Sequence, residues 1–300
     1  MEATAPTGRP QIVHDDVVID RHTFHLRLTR PTPAGAAPTM VLMHGLIDSG
    51  VSWEPVMPEF GGYADVIAPD LLGHGRSDKP RTDYSIGAHT NHLRDLLDLR
   101  GHDRIVLVGH SLGGGVAMNF NYQYPGRCDA MVLIAAGGLG RAISPWLRFA
   151  SLPGVVPAMG LATSRPVLAS LDAVRRRADR RGEDRRAWVL GNTGRMLGDL
   201  STRQARDAFK NTLRGVIDHS GQRNLALGKL HLAQGIPTLF VWGSRDPIIP
   251  VAHAHRAAEL SGGEVAVIDG AGHAPHRSHP GEFVATVTEF LRRHEVVDPS

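Results

Sequence analysis

The sequence predicts an α/β fold, a three-layer sandwich built on a mostly parallel sheet with a helical insertion past its middle. Three observations carry this. Short apolar runs of four to six residues are continuous rather than alternating, which suits strands buried on both faces. Segments with helical patterning separate most of these runs. Between about Gly137 and Leu230 the alternation stops, and little reads as strand. A chain of 300 residues buries roughly 75% of its extended surface, so its core needs no covalent staples.

Taken in order, residues 1–10 are small, polar and proline-bearing and are expected to be disordered. Ile12–Ile19 and Thr23–Thr29 read as strands, the second alternating Phe24, Leu26 and Leu28 against His25, Arg27 and Thr29, the pattern of a half-buried strand. Pro31, Pro33, Gly35 and Pro38 break the chain. The buried strands are expected at Thr39–Met43, Asp65–Ala68, Ile105–Val108, Ala130–Ala135, Thr238–Trp242 and Glu264–Ile268. Helices are expected at Ile86–Leu99, Leu112–Tyr124, Val251–Leu260 and Gly281–Arg293. Residues 1–136 and 231–300 then form the core, and 137–230 a cap over the C-terminal edge of the sheet. The cap opens with an apolar stretch around Trp146, Phe149 and Met159. Arginines Arg175, Arg176, Arg177, Arg180, Arg181, Arg185 and Arg186 follow, interleaved with acids. It ends with Ala205, Phe209, Leu213 and Ile217 on one helix face. The arginine run reads as a solvated surface laced with weak ion pairs rather than as a phosphate patch.

Composition closes off several classes of function. Thirty-three basic against 30 acidic residues leave a net charge of +3, too weak a field to argue for nucleic acid. The single cysteine, Cys128, excludes an internal disulfide framework and a cysteine-rich zinc site. It reads as a small buried group. No apolar run reaches the ~18 residues of a membrane span, and the N-terminus lacks the pattern of a secretory signal. A cytoplasmic protein with no membrane partner is the expectation. No metal site emerges: His253 and His255 face different ways on a helix, and His273 and His276 sit in a Gly/Pro loop without a carboxylate or cysteine cluster. No dinucleotide or P-loop pattern opens a helix after a strand, so no cofactor is expected.

The chemistry lies in Gly109-His110-Ser111-Leu112-Gly113, which joins an apolar strand to a helical pattern. A serine on so sharp a turn stands above the sheet, and bulky neighbours would clash, hence the glycines. Such a nucleophile needs a base, and the base an orienting acid. Asp246 follows the strand Thr238–Trp242, and His273 follows Glu264–Ile268, both at strand C-termini, where open α/β sheets place their sites. His276 and His279 compete with His273 by proximity alone. An oxyanion hole needs two N–H donors. Leu112, just after the nucleophile, supplies one, and Leu46, in the loop His44-Gly45-Leu46, is the choice for the other.

Four motifs, in order, resemble those of the cap-bearing α/β-hydrolases: His44-Gly45 with Trp53 downstream, Asp70-Leu71-Leu72-Gly73-His74-Gly75-Arg76-Ser77, the serine elbow, and the Asp246 and His273 loops. The resemblance covers residues 40–290 except the cap. It implies Ser111, Asp246 and His273 as a triad, Leu46 and Leu112 as hole donors, and the Asp70–Ser77 loop, His74 included, as structural. Haloalkane dehalogenases and epoxide hydrolases of similar scaffold need an aspartate in the elbow, so Ser111 argues against both. Carbon–carbon hydrolases of ring-cleavage products keep the serine but carry asparagine where His110 stands. The expected function is therefore hydrolysis of a carboxylic ester of a small hydrophobic molecule through an acyl-enzyme. A carbon–carbon hydrolase of meta-cleavage type and a small-molecule receptor with a residual triad are the alternatives. Trp146, Phe149 and Met159 are candidate contacts to an apolar substrate, and Arg195 to a substrate carboxylate. A cap-mediated homodimer is an expectation from the resemblance alone.

Overall fold

The computed structural model describes residues 10–29, 37–156, 160, 163–179, 194, 197–223, 225–233 and 235–297. Met159, Arg195, Arg180, Arg181, Arg185, Arg186 and residues 1–9 lie outside the described residues, and with them the expectations placed there.

The strands are β1 (Ile12–Ile19), β2 (His22–Thr29), β3 (Thr39–Met43), β4 (Asp65–Pro69), β5 (Ile105–His110), β6 (Cys128–Ile134), β7 (Ile217–Asp218), β8 (Gly221–Gln222), β9 (Thr238–Gly243) and β10 (Glu264–Ile268). Eight form one sheet in the order β1-β2-β4-β3-β5-β6-β9-β10. Strand β2 runs antiparallel to β1 and to β4, and the remaining pairs are parallel. Strand order reverses beside β3, whose neighbours are β4 and β5. At such a switch point the loops leaving adjacent strands diverge and open a crevice at the C-terminal edge.

Successive side chains on each central strand serve opposite layers, as a pleat requires. Val41, Met43, Leu107, Met131, Leu133 and Trp242 pack on one face with residues of the helices Ile86–Arg100 and Leu112–Gln123. Met40, Leu42, Val106, Val108, Val132 and Val241 pack on the other with Trp53, Phe60 and the helix Pro280–Arg293. The helix Ile86–Arg100 starts where Ser85 Oγ accepts from Ala88 N and stops at Gly101 in the left-handed region, a serine N-cap and a glycine C-terminus.

Two strands depart from their patterns. The polar face of β2 is buried: Arg27 ion-pairs with Asp70 at 2.8 Å and Glu54 at 2.9 Å, and His25 Nδ1 bonds Asp16 at 2.6 Å. Pairing makes that burial tolerable. Strand β10 is only half-buried, because it is the outermost strand of the sheet and one face, at Val267, meets solvent.

No described residue between β6 and β9 joins the large sheet. That stretch holds the helices Pro145–Ala150, Arg165–Asp179 and Arg203–Val216 and the β7–β8 hairpin. Thr202 caps the last helix by accepting from Ala205 N. Ala205, Phe209 and Leu213 are buried on one face, and Phe209 and Leu213 join Ile47, Ala150, Val156 and Leu200 in a separate cluster. Ile217 is buried too, but as the first residue of β7, one position past the helix end. Asp172 pairs with Arg175 and Arg176 on an exposed helix surface, the arrangement expected of the arginine run. No helix among the described residues is long and apolar enough to cross a membrane.

Candidate active site

Strand β5 ends at His110, and Ser111 turns the chain into the helix Leu112–Gln123 with φ +52° and ψ −110°. A non-glycine residue in that region costs on the order of 1–3 kcal/mol and persists only when its surroundings over-determine it. Here Ser111 N donates to Ile134 O at 2.9 Å, and Ser111 O accepts from Gly137 N at 2.9 Å and Gly114 N at 3.1 Å. The turn also needs Gly113, where a Cβ would collide with the Met43 backbone carbonyl. Ser111 makes no side-chain cap to the helix it precedes, which leaves its hydroxyl for other work.

Strand β9 delivers Asp246 and β10 delivers His273. Asp246 Oδ1 accepts from Ile248 N at 2.7 Å and Ile249 N at 3.1 Å, and Oδ2 meets His273 Nδ1 at 2.8 Å. The carboxylate is 1% exposed and the imidazole 20%. An acceptor-only carboxylate at Nδ1 puts the imidazole proton there and leaves Nε2 a lone pair.

The residue before the serine ties the two loops together. His110 Nε2 donates to the backbone carbonyl of His273 at 2.9 Å. Burial, with the neighbouring His273, pushes His110 down to about 3, so it stays neutral and donates through that one nitrogen. Its ring lies 4.8 Å from that of His276, which stacks on Trp53 at 4.2 Å. Both nitrogens of His276 are buried without a partner among the described residues, and burial holds it well below the usual histidine range. His276 is thus packing material, while His279 is half-buried and bonds Ser278 Oγ. Sequence proximity could not separate these three histidines; strand ends and burial do.

Ser111 opens into a cleft of about 470 Å³, mouth included, lined also by Leu46, Leu112, Leu147, Ile217 and Gln222. Leu46 and Leu112, expected to supply oxyanion donors, thus border the same space as the serine. As the first helical residue, Leu112 has an N–H with no acceptor inside the helix. Trp146 and Phe149 are not among the lining residues and are 46% and 54% exposed. The helix Pro145–Ala150 turns Leu147 inward instead, and Trp146 and Phe149, one and two positions away, point elsewhere at ~100° per residue. Gln222 went unnoticed in the sequence. Its Oε1 accepts from Gly138 N at 2.6 Å and its Nε2 donates to Ala142 O at 3.2 Å, pinning the β7–β8 hairpin to the loop after β6. The only local signal was the Ser220-Gly221 turn.

The Asp70–Ser77 loop is held by bonds within itself and to Arg27, Gly50 and His44. Asp70 accepts from Arg27 Nη1 at 2.8 Å and from the amides of Gly50 and Arg76 at 2.7 Å each. Ser77 Oγ donates to Asp70 O at 2.6 Å. Gly75 has φ +47°, and a Cβ there would run into the Asp70 carboxylate. His74 is buried, bonds Leu72 O at 3.2 Å, and is driven to about 3 by desolvation. Cys128 is buried and its thiol is pushed up to about 12, mainly by desolvation. Among the described residues no group of three or more His, Cys, Asp or Glu is arranged to hold a metal ion.

Comparison with known proteins bears on the fold and the family. An uncharacterized protein of Mycobacterium tuberculosis is 40% identical over 260 residues, covering 86% of this chain and 76% of the relative. Epoxide hydrolase A of the same organism is 27% identical over 96% of this chain and 98% of its own length. Among solved structures, an N-acyl homoserine lactone degrading enzyme, Est816, is 26% identical with a TM-score of 0.67, covering 92% of this chain and all of that one. The family model for the alpha/beta hydrolase fold matches residues 38–280, and the chain belongs to that family.

Proposed function

We propose that the protein is a serine hydrolase that cleaves a carboxylic ester of a small hydrophobic substrate through an acyl-enzyme. The observation that carries this reading is the Asp246–His273 hydrogen bond of 2.8 Å, on loops tied by His110 to the strained Ser111 turn. Ser111 Oγ attacks the acyl carbonyl carbon while His273 Nε2 takes its proton. Asp246 fixes the tautomer and stabilises the imidazolium. The amides of Leu46 and Leu112 hold the oxyanion, an interaction typically worth ~10²–10³ in turnover per donor. The tetrahedral intermediate collapses, the alcohol leaves with the proton held by His273, and a water deprotonated by the same nitrogen then cleaves the acyl-enzyme.

An apolar cleft wall of Leu46, Ile86, Leu147, Val216, Ile217 and Ile249 supports a hydrophobic substrate, with the 137–230 segment acting as its cap. Similarity to an epoxide hydrolase does not extend to mechanism, because the elbow here carries a serine where those relatives need a carboxylate. The test is a pre-steady-state run with p-nitrophenyl esters from acetate to laurate. We expect a burst followed by sustained turnover, with Ser111→Ala reducing turnover by up to ~10⁶-fold if the triad acts as a unit. A loss of only a few-fold would contradict the proposal.

A further inference from the structure

A second cavity lies against the wall of the Ser111 cleft. It encloses about 1190 Å³, mouth included, and shares Ile86, Gly115, Gly137 and Gly138 with the cleft. Three of these four residues are glycines, so Ile86 supplies the one side chain in the shared wall. A Cβ at Gly115 would meet Ile86 Cδ1 at 3.0 Å, so the flexible end of the Ile86 side chain is what stands between the two spaces.

The chemistry changes across that wall. The second cavity is bordered by Lys229, Arg223, Asn119, Asn121 and Gln123, and no carboxylate is among its described lining residues. Lys229 Nζ sits 4.1 Å from the centre of the Tyr122 ring and has no ion-pair partner among the described residues. Arg223 donates to the Arg214 carbonyl at 3.1 Å, and its only described acid, Asp218, is 3.8 Å away. Asn121 is 4% exposed, and its Oδ1 is buried without a partner among the described residues.

We infer that this cavity binds an anionic group, a carboxylate or phosphate, at the end of the substrate remote from the scissile ester. The inference rests on the ester-hydrolase reading of the adjoining cleft. Two cations and the buried Asn121 amide, with no carboxylate among the described lining residues, suit an anion, while the apolar cleft takes the segment next to the reacting carbonyl. The substrate class is then an amphiphilic ester, apolar at the reacting end and acidic at the other.

The test measures kcat/KM for matched pairs of esters. In one arm, p-nitrophenyl alkanoates are compared with the same chains ending in a carboxylate. In the other, the carboxylate is placed on the alcohol. The expected result is a preference for the acidic member at one chain length in one arm, which identifies the side of the ester carrying the anion. That preference should shrink as salt rises. Lys229→Ala should lower the acidic-to-neutral ratio by about fivefold, as for an exposed ion pair, through KM. Lys229→Arg should restore it, and Lys229→Ala with Arg223→Ala should lower it further. A ratio at or below one at every length in both arms, or one indifferent to these substitutions, overturns the inference while leaving the esterase reading intact. Absence of both ester turnover and fluorophosphonate labelling of Ser111 brings down that reading and the inference with it.

Discussion

Asp70 and Asp246 are both buried carboxylates just beyond the C-terminal ends of sheet strands, β4 and β9, and they do opposite jobs. Each accepts two backbone amides. Asp70 turns the rest of its capacity on Arg27, a fixed cation that is itself 4% exposed. Asp246 turns it on His273, an imidazole that is 20% exposed. The first arrangement is closed and its loop has no remaining freedom. The second, on the proposed mechanism, passes its charge outward to a base. What separates structural from chemical carboxylates here is the partner of the last lone pair, since burial and amide bonds are alike.

Substitutions sharpen that contrast. The largest effect is expected at Asp246→Asn, which keeps the shape and loses control of the tautomer. On the catalytic reading it should cut kcat by about 10⁴-fold while the melting temperature stays close to that of the parent. Asp70→Asn should show the reverse. It leaves the buried Arg27 guanidinium with Glu54, itself 41% exposed, as its remaining described acidic partner, a loss of up to ~3–5 kcal/mol, read as a drop in denaturant midpoint, with ester turnover per labelled Ser111 retained. If Asp70→Asn instead abolished turnover in folded protein, the distinction would collapse.

Buried histidines extend the comparison to pH. His276 is neutral when folded and charges only when unfolded, so below ~6.5 the unfolded chain takes up more protons. Stability is therefore full above that pH and declines as pH falls. Replacing the ring by an apolar one of similar shape removes that uptake. His276→Phe should lose less stability than the parent between pH 7 and 5, by about 2 kcal/mol, measured by urea unfolding at each pH. The smallest effect separates the two sides of one short helix. Leu147→Ala should raise KM for longer acyl esters by several-fold, in line with ~1–3 kcal/mol per pocket contact. Trp146→Ala, half-exposed and off the cleft, should leave KM within error.

The sheet was legible because each layer repeats a local pattern: β1, β3 and β10 fall at their expected bounds, and the order of motifs led to Ser111, Asp246 and His273. What escaped notice was non-local or too short for a period. Arg27 read as solvent-facing because its partner Asp70 lies 43 positions away. The His110–His276–Trp53 stack joins three separate segments and has no sequence signature. In Pro145–Ala150, four apolar residues crowd six positions, so apolar periodicity could not tell Leu147 from Trp146 and Phe149. Strands β7 and β8 have two residues each, below the length of any alternation, yet they carry Gln222 to the cleft.

The most direct test of the central claim is the rate at which a fluorophosphonate labels the intact protein, followed by mass and mapped by peptide digestion. We expect one label, on Ser111, formed far more slowly in His273→Ala and Asp246→Asn and at the parent rate in folded Asp70→Asn. Labelling elsewhere, or a Ser111 rate unaffected by His273→Ala, would contradict the assignment of the serine as a nucleophile activated by His273.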